Sequence, residues 1–198
     1  QRAHPVGDDE GRATSGVALA DVEAAAWYAN RNAHTLRLAD PEEEFEGCGD
    51  CRWHPDRKLI YGGYGFRTQR HSLLDLARVL QTPVVPLRLT DPGFYHLDTC
   101  LSPLTETAAL VVEEAFEPEG LALLQRAFPD LIAVPVEEAR HGFATNGNCP
   151  DSKHFVVHYD NPVTIAAVKR LGIEVIEVDT SEFLKSGGSV FCMTMMLP

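Results

Sequence analysis

The hexapeptide Leu87-Arg88-Leu89-Thr90-Asp91-Pro92 nearly repeats an earlier one, Leu36-Arg37-Leu38-Ala39-Asp40-Pro41, and the offset from Leu36 to Leu87 is 51 residues. Each copy ends a segment that has helical periodicity followed by a short apolar stretch. A repeat of about 40 to 50 residues is typical of propellers and solenoids. Because helical and strand patterns alternate, the sequence predicts an α/β protein built from repeated units.

Two more helix–strand pairs follow, each with apolar residues at helical spacing and then a β-branched run. Asn161 and Pro162 favour the start of the last helix, and Gly172 favours its end. The predicted pairs are Val17–Ala29 with His34–Leu38, Ser72–Leu80 with Val84–Leu89, Glu119–Phe128 with Leu131–Val136, and Val163–Leu171 with Ile173–Val178. Extra strands are predicted between them at Lys58–Tyr61, Ala109–Val112 and His154–Tyr159.

The size and charge of the chain narrow the classes of function. Its 198 residues, 44% of them hydrophobic, suffice for one domain with a substantial core or two small ones. A net charge of −12 argues against nucleic acid as the main partner, since phosphate binding needs clustered Lys and Arg. The charge is compatible with a cationic substrate, although many proteins are acidic for solubility alone. The lack of any run of about 18 apolar residues predicts no membrane span.

Cysteine usage predicts a reduced, cytoplasmic protein with at least one free thiol. The five cysteines are an odd set, and residues 1–10 lack the apolar core of a secretory signal. Cys48, Cys51 and His54 form half of a zinc-ligand pattern, but no second pair follows at comparable spacing. We therefore predict no structural zinc.

Four polar residues recur in register with the repeat. Glu46, His96, Asn146 and Cys192 are separated by 50, 50 and 46 residues, and each lies in a polar or glycine-containing segment after a helix–strand pair. Equivalent positions in a closed ring of repeats converge on one axis. The register therefore predicts that a carboxylate, an imidazole and a thiol meet in one site.

Several of the polar residues also have a purely structural interpretation. His96 and Asp98 are two apart, so an extended segment would point both to one side, as a structural pair or as part of a site. Cys192 follows Gly187-Gly188 and is either a nucleophile or a core cysteine on a final strand. Arg67 either binds a substrate carboxylate or forms a surface salt bridge. Residue types alone leave these alternatives open.

Four motifs together resemble the guanidine-modifying superfamily, which includes arginine deiminases, dimethylarginine dimethylaminohydrolases, agmatine deiminases and amidinotransferases. The resemblance extends from about residue 20 to the C-terminus and is nearest to the dimethylarginine dimethylaminohydrolase-like branch. It implies an α/β propeller, a pseudo-symmetric ring of five ββαβ units. The motifs, in the family's order, are Phe45-Glu46-Gly47-Cys48-Gly49-Asp50, Gly63-Tyr64-Gly65-Phe66-Arg67-Thr68, Phe94-Tyr95-His96-Leu97-Asp98-Thr99 and Gly187-Gly188-Ser189-Val190-Phe191-Cys192-Met193-Thr194.

The resemblance implies a hydrolase that acts on the guanidino carbon of arginine or an N-methylated arginine, giving citrulline and an amine or ammonia. In such an enzyme Cys192 attacks the carbon to form a thiouronium adduct, and His96 protonates the departing amine and then activates water. Glu46 orients His96 or holds the guanidinium. Asp98 binds guanidinium nitrogens, and Arg67 binds the carboxylate. The resemblance implies no metal and no organic cofactor.

Two departures from the family pattern matter. The loop Glu46-Gly47-Cys48-Gly49-Asp50 is one residue longer than the usual form, which makes Asp50 a candidate for substrate binding and a rival of Glu46 for the acid role. Residues 1–16 read as a polar tail and residues 17–198 as a single propeller domain of about four units, lacking an N-terminal unit. The open edge predicts self-association or a partner chain that completes the ring. An amidinotransferase that uses an amine acceptor, or an inactive binding remnant, are the alternative functions.

Overall fold

Three units of the same strand–helix–strand order follow one another in this computed structural model, which describes residues 44–194. The predicted helix Val17–Ala29, the strand His34–Leu38 and the tail 1–16 lie outside the described residues. The strands are β1 Cys51–Trp53, β2 Ile60–Tyr64, β3 Val84–Arg88, β4 Leu101–Pro103, β5 Ala108–Val111, β6 Asp130–Ala133, β7 His154–His158 and β8 Glu174–Val178. The helices are α1 Arg70–Leu80, α2 Pro118–Ala127, α3 Val136–His141, α4 Pro162–Arg170 and α5 Ser181–Leu184.

Each unit builds a small sheet of its own. In the first two units an antiparallel pair precedes a parallel strand, in the orders β1-β2-β3 and β4-β5-β6. The third sheet contains the parallel pair β7-β8, and an antiparallel bridge between Asn148 and Val156 stands where the first strand would lie. Each parallel pair is connected through one of the helices α1, α2 and α4, as a parallel crossover requires. Within residues 44–194, therefore, the full ββαβ order is present twice, and a βαβ unit with one added bridge follows.

Between residues 44 and 194, the predicted helices and strands are confirmed to within three residues at each end, apart from one strand. The prediction of a strand at Leu131–Val136 is wrong in its second half, because β6 ends at Ala133 and α3 begins at Val136. Pro135 immediately precedes this helix and Glu137 lies in its first turn, and both favour a helix start. No helix among residues 44–194 is long and apolar enough to cross a membrane.

The signals read at the two ends of α4 act in different ways. Gly172 adopts a φ of +79°, so the left-handed residue that ends the helix is glycine, as predicted. Asn161 occupies the N-cap position, but its side chain makes no capping hydrogen bond there. Its Nδ2 instead donates to the carbonyl oxygens of Gly142 and His158, at 2.8 and 2.9 Å. Asn161 thus connects three segments rather than capping one helix.

The buried strands fix the segments that carry the polar motifs. Every residue of β4 and β5 is buried, and the core continues through Leu87, Leu97 and Phe155. The segments 46–50, 96–99 and 145–147 lead into β1, β4 and the Asn148 bridge, so they hold equivalent positions at the starts of three units. This equivalence is the structural basis of the 50-residue spacing in the sequence.

Candidate active site

Cys192 lies in the middle of a 3₁₀ turn, Phe191–Met193, and its side chain is exposed. The interpretation of Cys192 as a core residue on a final strand is therefore wrong. The turn is approached through Gly187, whose φ is +83°. A Cβ at Gly187 would lie 2.9 Å from Tyr95 Oη, and that hydroxyl donates a 2.7 Å hydrogen bond to the Gly187 carbonyl. Glycine is required here because Tyr95 comes close to the backbone.

Asn146 stabilises the turn that carries Cys192 through buried hydrogen bonds. It is fully buried, and its Oδ1 accepts hydrogen bonds from the backbone N–H groups of Ser189 at 3.1 Å and Cys192 at 3.4 Å. Its Nδ2 lies 3.2 Å from Cys192 Sγ, in position to donate to the sulfur. The Asn146 carbonyl accepts a further bond from Phe191 N at 2.8 Å. One residue thus fixes the backbone of the turn and contacts its reactive atom.

Asp98 is the carboxylate next to the thiol. It is 2% exposed, and its Oδ2 lies 3.4 Å from Cys192 Sγ, which donates to it. Burial raises the pKa of Asp98 to about 6, against the opposing effect of the Arg52 and His96 charges. Its Oδ1 is buried and has no hydrogen-bond partner among the described residues. Because an unsatisfied buried acceptor is costly, this oxygen is available for an N–H donor brought by a ligand.

The expectation that His96 and Asp98 lie on one extended segment is wrong. His96 is extended, but Leu97–Thr99 form a 3₁₀ turn that directs Asp98 inward. The Nε2 atom of His96 lies 2.5 Å from Glu46 Oε2. Burial opposes ionisation of Glu46, but the hydrogen bond and charge of His96, together with Arg67, outweigh it and lower the pKa of that carboxyl. Glu46 and His96 therefore form a charge-assisted pair at the edge of the site.

Arg67 and Asp50 have contacts that separate their roles from those of the other polar residues. Arg67 is half exposed, and its Nη1 lies 3.3 Å from Glu46 Oε1. Asp50 is 1% exposed and accepts hydrogen bonds from Thr68 Oγ1 at 2.7 Å and Leu97 N at 3.0 Å. Both carboxylate oxygens of Asp50 are thus engaged in joining two motif segments. Glu46, not Asp50, is the acid that contacts His96.

The surroundings of Cys192 disfavour the thiolate form of its side chain. Burial and the neighbouring Asp98 carboxylate raise its pKa, while hydrogen bonds from the Ser189 backbone and Asn146 act in the opposite direction. A planar cation bound against Asp98 would offset the carboxylate charge and make the thiolate easier to form. The charge of this site is therefore complementary to a planar cation.

The half zinc pattern does not assemble into a site. The Nδ1 atom of His54 accepts hydrogen bonds from the backbone N–H groups of Asp56 and Arg57, and its ring stacks on Phe128 at 5.2 Å. Burial raises the pKa of Cys51 to about 12. In the part of the chain that the structure describes, no group of three His, Cys, Asp or Glu side chains could hold a metal ion.

Two residues at the site were given no role from the sequence alone. Asn146 lies in the 50-residue register, but an amide at that position does not by itself indicate a catalytic or binding role. Arg52 follows the first motif at the second position of β1. It is 5% exposed, and its guanidinium carbon lies 3.5 Å from the centre of the Phe191 ring.

Comparison with known proteins places this chain in a family of guanidino-modifying enzymes. Residues 18–197 match the model of the family described as N,N dimethylarginine dimethylhydrolase, eukaryotic, and the chain belongs to that family. It is 39% identical over 150 residues to N(G),N(G)-dimethylarginine dimethylaminohydrolase of Mycobacterium tuberculosis, an overlap covering 76% of this chain and 48% of the relative.

A second relative is the bifunctional arginine dihydrolase/ornithine cyclodeaminase ArgZ of Synechocystis, which is 33% identical over 86% of this chain and 24% of its own length. The crystal structure of the ArgZ N-terminal domain bound to product has a TM-score of 0.83 at 30% identity, covering 90% of this chain and 65% of that domain. Another structure of that domain is covalently bound to a reaction intermediate. The present chain spans about half or less of the length of these curated relatives.

Proposed function

We propose that the chain is a cysteine-dependent hydrolase of the guanidino group of arginine or N-methylated arginine, acting through a covalent adduct on Cys192. The observation that carries the proposal is the contact of Cys192 Sγ with both Asp98 Oδ2 and Asn146 Nδ2. A nucleophile beside a buried carboxylate suits a cationic electrophile. The family membership and the covalent intermediate of the ArgZ domain support the same chemistry.

In the first half-reaction, the guanidinium donates N–H groups to Asp98, including the unpaired Oδ1. The Cys192 thiolate attacks the guanidino carbon, and the new C–S bond replaces one C–N bond. His96, held by Glu46, donates a proton to the departing nitrogen, which leaves as ammonia or a methylated amine. The product of this step is a thiouronium on Cys192.

In the second half-reaction, His96 removes a proton from water, and the resulting hydroxide attacks the thiouronium carbon. The C–S bond breaks as the hydroxyl proton of the tetrahedral adduct passes to solvent, the ureido product leaves as citrulline, and Cys192 returns as thiolate. Arg67, at the exposed edge of the site, is the candidate for the substrate carboxylate, which would compete for it with Glu46. This assignment favours amino acid substrates over amines that lack a carboxylate.

We also propose an architecture for the whole chain. Residues 17–198 form one α/β propeller domain of ββαβ units, and residues 1–16 form a polar tail. The three open sheets between residues 44 and 194, with the ββαβ order repeated, support this arrangement. Limited proteolysis with mass mapping tests the boundary, since cleavage is expected before residue 17 and a first cut within 17–198 would contradict it.

Turnover and adduct formation test the proposed reaction. L-arginine and asymmetric dimethylarginine are incubated with the protein, citrulline is assayed, and acid-quenched samples are analysed by intact mass. We expect citrulline and an adduct on Cys192, both abolished by Cys192→Ser and retained by Cys48→Ser, the matched change at the other exposed cysteine. A folded protein that gives neither citrulline nor adduct would refute the hydrolase. A product that appears only when an acceptor amine is added would indicate a transferase instead.

A further inference from the structure

Arg52 is a buried cation placed directly behind the cysteine turn. On β1 its neighbour Trp53 is 54% exposed, so the alternation of the strand turns Arg52 inward. The carbon of its guanidinium lies 3.5 Å from the centre of the Phe191 ring. Phe191 immediately precedes Cys192. The cation therefore packs against the residue that sets the position of the nucleophile.

The polar contacts of Arg52 leave its charge largely unpaired. Its Nη2 donates to Ser102 Oγ at a long 3.4 Å, and its Nη1 is buried without a hydrogen-bond partner among the described residues. Burial lowers the pKa of Arg52 to about 10, opposed first by the charge of Asp98 and then by that of Cys192. The side chain remains protonated at neutral pH. A buried guanidinium with so few contacts is expensive to keep for stability alone.

Asp98, like Arg52, has a buried polar atom without a hydrogen-bond partner among the described residues. Its Oδ1 is buried and unpartnered, and Arg52 is the strongest positive influence on it. The charged and titratable groups that interact electrostatically with Asp98 are Arg52 from β1, Tyr95, His96 and Cys100 from its own segment, Cys192 from the nucleophile turn and Asp50 from the first motif. Of these, Arg52 is the cation whose charge does not depend on pH in the neutral range.

We propose that Arg52 is a positioning residue of the catalytic centre, a buried countercharge for Asp98 and a platform for Phe191. This inference rests on the proposed function, because it assigns to Asp98 the binding of a cationic group. Arg52 keeps Asp98 ionised without occupying Oδ1 through a direct hydrogen bond. The substrate guanidinium then finds a carboxylate that is charged, buried and still has a free oxygen.

The proposal is tested by the reactivity of Cys192 and does not require turnover. Alkylation rates are measured against pH with two reagents of similar size, cationic chloroacetamidine and neutral chloroacetamide. The ratio of the two rates reports negative charge beside the thiol. All proteins carry Cys48→Ser, so that Cys192 is the exposed thiol under test. In this background we compare the chain with Arg52 unaltered, Arg52→Met and Arg52→Lys. Arg88→Met is the matched control, since Arg88 forms a surface ion pair with Glu117.

In Arg52→Met, Asp98 loses the charge that opposes its protonation. The rate ratio at about pH 7 is expected to fall about fivefold or more, and its acid limb to move up by about one pH unit. Arg52→Lys is expected to keep the acid limb, because the charge remains, and Arg88→Met to match the unaltered chain. If citrulline production by the unaltered chain fails while these shifts are seen, the proposed function is refuted and the role of Arg52 stands.

Two results would overturn the proposal. One is a folded Arg52→Met protein, checked by circular dichroism, with an unchanged ratio and acid limb. The other is an Arg52→Lys protein whose acid limb moves as far as that of Arg52→Met, since charge would then not be the cause. If Arg52→Met does not fold, Arg52→Gln, which is neutral and still polar, is measured in its place against the same expectations.

Discussion

The segment that carries Cys192 and the segment that carries His96 are held by different kinds of interaction. Interior hydrogen bonds from the buried Asn146, together with the buried Arg52, fix the cysteine turn. His96 is instead positioned by a charge-assisted contact with Glu46, whose side chain is 39% exposed. Neutral interior hydrogen bonds are little affected by salt, whereas exposed ion pairs are screened by it.

The comparison suggests a division of labour within the site. The nucleophile has to be in one place for attack, and a buried amide gives it a fixed backbone. The proton-transferring imidazole has to serve first a departing amine and then a water molecule, and an exposed pair leaves room for both. A mutation on the His96 side should therefore leave the Cys192 side unaffected.

Removing the imidazole should have the largest effect on turnover. In His96→Gln, proton transfer to the departing amine is lost, so citrulline formation is expected to fall about 10³-fold. Alkylation of Cys192 by chloroacetamide should change by no more than about threefold, because Asn146 and Ser189 still hold the turn. His141→Gln is the control, since His141 is exposed and forms a surface ion pair with Glu137. A His96→Gln protein with normal turnover would remove His96 from the mechanism.

Asn146 is the corresponding test on the nucleophile side. Asn146→Ala removes a donor to the sulfur and the acceptor for two backbone N–H groups, and we expect about a 30-fold loss of citrulline formation. Alkylation of Cys192 should slow as well, in contrast to His96→Gln. Asn161→Ala is the matched control, because Asn161 is also fully buried but its amide donates to the carbonyls of Gly142 and His158 and not to the sulfur. That variant should lose stability and keep its turnover per folded molecule.

Glu46 and Asp50 test whether an acidic residue serves proton transfer or the stability of the fold. Glu46→Gln should lower turnover about tenfold and leave the unfolding midpoint nearly unchanged, because the pair it breaks is exposed. Asp50→Asn should instead lower the free energy of unfolding by about 1–3 kcal/mol, since the amide cannot replace both buried acceptors for Thr68 and Leu97. Urea unfolding and citrulline assays on both proteins decide this. The reverse pattern would make Asp50 the functional acid.

The sequence predicted much of this site because the repeat places equivalent segments together. The spacing of Glu46, His96, Asn146 and Cys192 is visible without coordinates, and the helix and strand patterns between them are strong. The direction of a side chain within a short turn is not visible. Asp98 was expected on an extended segment, whereas a 3₁₀ turn buries it beside the thiol. Arg52 could not be assigned, because an arginine after a loop is usually exposed and only the tertiary fold encloses it.

Arg67 provides the smallest expected effect and the most direct test of the exposed side. Its Nη1 contacts Glu46, and its guanidinium lies 5.4 Å from the centre of the Tyr95 ring. If it binds the substrate carboxylate, Arg67→Met should raise KM about fivefold and change kcat by no more than about twofold, since that contact is equal in the ground and transition states. Raising the salt concentration should raise KM of the unaltered chain through the same contact but have little effect on the variant. Equal salt sensitivity in both proteins would mean that Arg67 serves only Glu46, and that another group holds the carboxylate.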